Sequence, residues 1–406
     1  MTQNSVKKLT NKNTGARDWL AVAAFLLIML FLAYALSMGA LNFALFMADF
    51  FHAKIWPPMD MVAEQAAIQS PMILEPGPKW VSANKNIIEE LLAPQNSFLT
   101  KPPVIPQKSF TTITINAVGD CILASDINRA PTDSFEYYIH TLNKPYSYFF
   151  ANVKEVFATG DINIANCESV FTRYEHARKK NGDRVFWFKS DPNYVNIYVS
   201  GGINAVNVAN NHTHDFGEKG FEDTLQALAA AGIHSFGYDS IAYMEVKGYI
   251  VALLGYCLVG RLQTEQDLKT IAHAIKDDLA QTVKKSDLMI VTFHWGEEYA
   301  PEPSAYQEQL ARQTIDNGAN LLIGHHSHSL QRVDIYRERL IAYSLGNFVY
   351  GGSLKPFKET IILRQTFFMD DELRLLDHSI YDLIEAETYS GSGYNNFQPV
   401  LGRPSN

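Results

Sequence analysis

Five apolar runs in this chain end abruptly in polar residues, and each ending offers a carboxylate, an amide oxygen or an imidazole. The endings are Gly119-Asp120, Asn166-Cys167-Glu168, Asn210-Asn211-His212, His294-Trp295-Gly296 and Gly324-His325-His326-Ser327-His328. The runs before them, at 111–118, 161–165, 203–208, 288–293 and 321–323, are rich in β-branched residues and read as strands. Helix-type stretches lie between them, at about 192–200, 221–231 and 304–316. The last of these opens with Ser304 and Gln307 at capping-box spacing and is followed by Gly318. Strands alternating with helices predict an α/β fold. In such sheets ligands bind beyond the carboxyl ends of the strands, where all five polar endings fall. The stretch 360–376 reads as a further hairpin, with Asp370-Asp371 at its turn.

The start of the chain bears on its compartment. Residues 19–41 hold no charged side chain and are long enough to cross the roughly 30 Å of bilayer hydrocarbon as a helix. Lys7, Lys8, Lys12 and Arg17 stand before this run, so the positive-inside rule predicts a cytoplasmic N-terminus and an extracytoplasmic remainder. The run is longer than the core of a signal peptide, and bulky residues follow it. The expected organisation is a cytoplasmic tail at 1–18, a single transmembrane helix at 19–41, a Pro-rich stalk at 42–109, a folded domain at 110–390 and a tail at 391–406. The net charge of −9, without a long basic run, disfavours nucleic acid as a partner. Three cysteines are too few for a disulfide scaffold. Cys121 and Cys167 each adjoin an acidic residue on a strand and therefore point to the opposite face, as small buried hydrophobes. A disulfide between them is the lesser alternative.

The endings make a coherent ligand set. Asp120 and Glu168 supply charge, Asn211 a neutral oxygen, and His294, His326 and His328 imidazoles. His326 and His328 are two apart and, on extended backbone, would face the same way. Mixed oxygen and nitrogen donors suit Mn, Fe or Zn. Six donors exceed the needs of one tetrahedral ion, so two divalent metal ions are expected, a pair that can drive hydrolysis. His212 would stand beside them as general acid or charge stabiliser, with Asp215 as its orienter. Alone, Asp120 or Glu168 reads as a turn residue, and His294 as a satisfied core histidine. Three histidines within five residues at 324–328 form the strongest single signal.

Four blocks carry a family resemblance: Phe293-His294-Trp295-Gly296-Glu297-Glu298-Tyr299, the stretch 207–217, the stretch 323–331, and Tyr343-Ser344-Leu345-Gly346-Asn347-Phe348. In order and content, over about 112–350, the chain resembles the CapA (PgsA) family of poly-γ-glutamate capsule biosynthesis proteins. The resemblance implies a fold similar to calcineurin-like metallophosphoesterases, a two-sheet β-sandwich flanked by helices with a dinuclear metal site. It puts Asp120, Glu168, Asn211, His294, His326 and His328 at metal positions and His212 at the catalytic-histidine position. It also implies an anionic extracellular polymer as substrate and membrane synthase subunits as partners. Two positions depart from the pattern. Ile122 stands where metallophosphoesterases carry the histidine of Asp-x-His, and Glu168 replaces their bridging aspartate. Two other functions fit the same residues: a non-catalytic scaffold of a synthase complex, and a general extracellular metallophosphoesterase.

Overall fold

The computed structural model describes residues 110–402, apart from 183–184, 263 and 371–373. The expected tail, anchor and stalk at 1–109 lie outside the described residues. Among the described residues no helix is long and apolar enough to cross a membrane.

Two sheets make up the framework. The first has eight strands: β1 (Thr111–Ile122), β2 (Ile162–Cys167), β5 (Ala205–Asn207), β6 (His234–Phe236), β13 (Asn347–Tyr350), β14 (Glu359–Asp370), β15 (Arg374–Glu387) and β16 (Val400–Leu401). Their order is β16-β15-β14-β1-β2-β5-β6, with β13 also on β1. The second sheet has six: β7 (Ala242–Val246), β8 (Tyr249–Cys257), β9 (Leu288–His294), β10 (Leu321–His325), β11 (Val333–Tyr336) and β12 (Arg339–Ala342). Their order is β11-β12-β10-β9-β8-β7. A short parallel pair, β3 (Val170–Phe171) and β4 (Lys189–Ser190), stands apart.

Side-chain alternation sorts the residues into layers. Ile113, Ile115, Ile162 and Ile164 of the first sheet meet Val251, Leu253, Ile290 and Ile323 of the second in one core. The opposite faces pack on helices. Cys121, Ala165 and Val206 lie against Phe150, Tyr198 and Leu228, while Leu254, Val291 and Leu322 lie against Leu279 and Leu310. The helices concerned include Val195–Gly201, Gly217–Ala230, Glu265–Thr282 and Ala305–Asp316. The molecule is thus the expected two-sheet sandwich between helical layers. The central strands are parallel and buried on both faces, which explains their nearly unbroken apolar runs.

Several details differ from expectation. The helix read at 221–231 starts one turn earlier, at Gly217. The hairpin exists, but its second strand runs on to Glu387, and Asp371 lies outside the described residues. Residues 391–402 are not a tail. Phe397 is buried in the helix-side core, and Val400 and Leu401 pair with β15.

A bulge in β1 sets up the site. Ala117 pairs with Ile164, but the next pair is Asp120 with Asn166, so β1 carries one extra residue. Alternation without it would turn Asp120 toward the helices. The bulge returns it to the face shared with the second sheet. Gly119 is the residue that permits this, because a β-carbon there would lie 2.0 Å from the Gly346 carbonyl oxygen. That carbonyl accepts the Asp120 N–H at 2.9 Å. Gly119→Ala is expected to destabilise the domain by roughly 1–3 kcal/mol, the usual cost of forced overpacking. Thermal unfolding would show it as a lower melting temperature, and an unchanged one would refute this account of the glycine.

Candidate metal centre

All five polar endings converge. β1, β2, β5, β9 and β10 deliver their carboxyl ends to one edge of the sandwich, and Asp120, Glu168, Asn211, His212, His294, His326 and His328 all stand there. Asp120, Glu168 and His294 are fully buried, and His326 and His328 are nearly so.

Asp120 is held from several sides. One carboxylate oxygen accepts from Asn166 Nδ2 at 2.8 Å and lies 3.4 Å from His325 Nδ1. The other accepts the His326 backbone N–H at 3.2 Å and lies 3.1 Å from His328 Nδ1. Burial pushes its pKa up, but hydrogen bonds and charge from His325 and His328 outweigh this and hold it well below the usual range. His328 answers in the opposite sense. Burial works against its charge, yet Glu168 and Asp120 raise it to about 9. The two form a buried ion pair. Asn347 Oδ1, 3.0 Å from His328 Nδ1, helps to aim the ring so that Nε2 faces Glu168 at 4.0 Å.

Glu168 has no such support. Both its oxygens are buried and accept no hydrogen bond. Burial first, then the charge of Asp120, push its pKa well above the usual range. A buried, unpartnered carboxylate is costly. Its nearest basic atom is His294 Nε2 at 3.4 Å. His294 Nδ1 lies 3.1 Å from Asn166 Nδ2, and its Nε2 lies 2.7 Å from Asn211 Oδ1. The His326 ring lies 4.7 Å from that of His294, and its Nδ1 is buried without a partner. Burial holds both imidazoles neutral, His326 at about 4.

Two donor groups made up wholly of buried residues emerge among the described residues, Asp120–Glu168–His328 and Glu168–His294–His326, each with its ligand atoms within 4.8 Å of one another. They share Glu168. Asn211 Oδ1 adds a neutral donor beside the second. The orphaned Glu168 oxygens, the orphaned His326 nitrogen and the mixed oxygen and nitrogen donors fit a divalent cation.

His212 lies at the side of the cluster, with its ring 4.6 Å from that of Phe188. Its Nδ1 is 2.9 Å from Asp215 Oδ2. Asp215 is fully buried, accepts the Phe188 N–H at 3.0 Å and pairs with Lys180. Burial lowers the His212 pKa, against the pull of Asp215. The loop bearing His212 is tied to β2, because Asn210 Nδ2 donates to the Cys167 carbonyl at 2.8 Å.

The His326–His328 reading needs correction. The strand ends at His325, and His326 and His328 have φ of 93° and 56°. A left-handed turn, not an extended segment, brings both rings to the cluster. His325, the residue still on the strand, contacts Asp120 instead. Several participants had no distinct signal in the sequence: Asn166 as a hydrogen-bond hub, Asn347 behind His328, Lys180 on Asp215, and Glu298 beside His326 and His328. Asn166 sits inside one of the five polar endings and Asn347 inside the Tyr343–Phe348 block, so attention to ligand-orienting amides could have found them. The cysteines are free. Cys121 and Cys167 are paired in register but lie on the helix side, where burial pushes the Cys167 thiol up to about 11.

Fold and site together define an α/β sandwich protein with a buried carboxylate–imidazole nest of the kind that takes divalent metals. The chain belongs to the bacterial capsule synthesis protein PGA_cap family, whose model matches residues 114–351, more than half of it. It is 29% identical over 287 residues to capsule biosynthesis protein CapA of Bacillus anthracis, covering 65% of this chain and 66% of the relative. It is 28% identical over 262 residues to PGA biosynthesis protein CapA of Bacillus subtilis (strain 168), covering 61% of this chain and 66% of the relative. The matches thus span just under two thirds of either relative's length. Among solved structures, a phosphatase of Mycoplasma pneumoniae is similar at 12% identity and a TM-score of 0.38, over 68% of this chain and 95% of that one.

Proposed function

We propose that this chain is a membrane-anchored protein of poly-γ-glutamate capsule synthesis or export that acts on an anionic extracellular polymer by metal-assisted hydrolysis or transfer. The observation that carries the reading is the pair of donor groups joined at Glu168, which suits a dinuclear centre of Mn, Fe or Zn. Family membership and the CapA relatives support the link to the polymer. Bound metal would polarise a phosphoryl or carbonyl oxygen and make water acidic enough to react. The protein's own residues do the rest. Asp120, Glu168, Asn211, His294, His326 and His328 hold the metals. Asn166 and Asn347 fix the ring orientations of His294 and His328. His212 delivers a proton to the leaving group, with Asp215 holding its Nδ1.

The test is metal analysis of the purified full chain, with turnover measured on phosphoesters and on γ-glutamyl polymers. Asp120→Ala and His326→Ala are each expected to lose one of the two metal ions while the domain stays folded by circular dichroism. Metal-free wild-type protein would sink the reading.

One observation favours a non-catalytic scaffold as the second reading. Ile122 is fully buried in an apolar cluster with Ala124, Phe188 and Tyr350, so β1 itself supplies no histidine beside Asp120. Metal-loaded protein that binds the polymer but turns over nothing would support it. The proposed location has residues 19–41 in the membrane and the domain outside the cell. Protease added to intact cells should then remove the domain, and a protected domain would overturn that topology.

A further inference from the structure

We propose that Glu298 is a metal ligand, a displaceable carboxylate that completes the shell of the ion held by Asp120, Glu168 and His328. The proposal rests on the two-metal reading above. The two donor groups are unequal. Glu168, His294 and His326 have Asn211 beside them as a fourth donor, with its Oδ1 2.7 Å from His294 Nε2. Asp120, Glu168 and His328 have no fourth donor from β1, because Ile122 packs with Ala124, Phe188 and Tyr350. Three protein donors are one short of a closed tetrahedral shell.

Glu298 reaches His328, and His326 of the other group, from the loop after β9. A carboxylate oxygen of Glu298 and ring nitrogens of His326 and His328 all lie within 4.8 Å of one another. The group is more than an exposed acid near a histidine, because His326 Nδ1 is buried without a partner and both Glu168 oxygens are orphaned.

The backbone holds Glu298 in position. The Tyr299 N–H donates to the Ser327 carbonyl at 2.6 Å, which ties this loop to the His326–His328 turn. Gly296 turns the chain with φ of 84°, and its N–H donates to the Tyr306 hydroxyl at 2.6 Å. Glu298 is exposed, whereas the ligands it joins are buried. A ligand on the open side can yield to a substrate oxygen without rearranging the buried frame. Glu298 therefore closes the resting site, and an incoming anionic group takes its place.

The test is calorimetric titration of chelator-stripped full chain, in detergent, with Mn²⁺, together with visible absorption spectra of the Co²⁺ form. Wild type should bind two ions. Glu298→Gln should keep one at the wild-type Kd and weaken the other by about tenfold or more, since even changes around the ligands cost 10–100-fold. Its Co²⁺ spectrum should change as one ion loses a donor. Glu297→Gln, the exposed neighbour, should match wild type in both readouts. Two ions bound by Glu298→Gln at wild-type Kd, with an unaltered spectrum, would overturn the proposal alone. Wild-type chain binding fewer than two ions would overturn the two-metal reading, and this proposal with it.

Discussion

Replacing Glu168 with methionine is expected to abolish both metal sites at once and to raise the melting temperature of the metal-free chain. The first effect follows from sharing, because Glu168 is the one residue common to both donor groups. His294→Ala should spare the Asp120 group, and Asp120→Ala the His294 group. Glu168→Met should spare neither, with metal content falling to background. The second effect follows from desolvation. In the metal-free chain both Glu168 oxygens are buried and unpaired, and an unsatisfied buried polar group costs about 1–3 kcal/mol, more if charged. Methionine has similar length and no such cost.

The pH dependence gives the sign. The pKa of Glu168 is raised on folding, by burial first and then by Asp120. A carboxyl group whose pKa rises on folding binds its proton more tightly in the folded state. Its contribution therefore favours folding at low pH and turns into a penalty as pH climbs above the unfolded value. The melting-temperature gap between Glu168→Met and metal-free wild type should widen over that rise. A gap that stays flat, or a variant that melts lower, would count against an uncompensated carboxylate. A widening gap would mean that wild type gives up stability at this site for the sake of a bound cation.

Removing the His212 imidazole should separate binding from chemistry. His212→Ala is expected to keep both metals, since His212 belongs to neither donor group. Turnover should fall by about 10²–10⁴-fold, the range for loss of a general acid or base. Burial, which favours the neutral imidazole, lowers the His212 pKa against the opposing pull of the Asp215 carboxylate. Asp215→Asn should act through His212, disturbing its orientation. It should also cost stability, because Asp215 is fully buried and holds the Phe188 N–H, the His212 ring and the Lys180 ammonium. Metal loss in His212→Ala would move the histidine into the ligand set. Unchanged turnover would favour the scaffold reading.

Much of this architecture could be read from local pattern. Apolar runs with β-branched residues mark strands, and a capping box with a following glycine marks the helix Ala305–Asp316. Parallel strands buried on both faces leave their polar residues at the carboxyl ends, so the chemistry was visible as five endings. Signals of this kind are short in range and depend on residue type and period.

What escaped was set by contacts across the chain. The bulge that turns Asp120 inward depends on Gly119 meeting Gly346, and Asp120 accepts the N–H of His326, 206 residues away. His326 and His328 arrive through a left-handed turn, whereas their spacing had read as an extended strand. Lys180 and Glu298 come from loops with no periodic signal, and residues 391–402 pair with a strand that only the fold places there. The sequence by itself determined the α/β class, the family and the types of side chain gathered for chemistry, because each is encoded in local composition and spacing. Tertiary structure alone decided that one carboxylate serves two donor groups and stands unsatisfied between them. That property belongs to the distances between strands of two different sheets, and no single strand's sequence contains it.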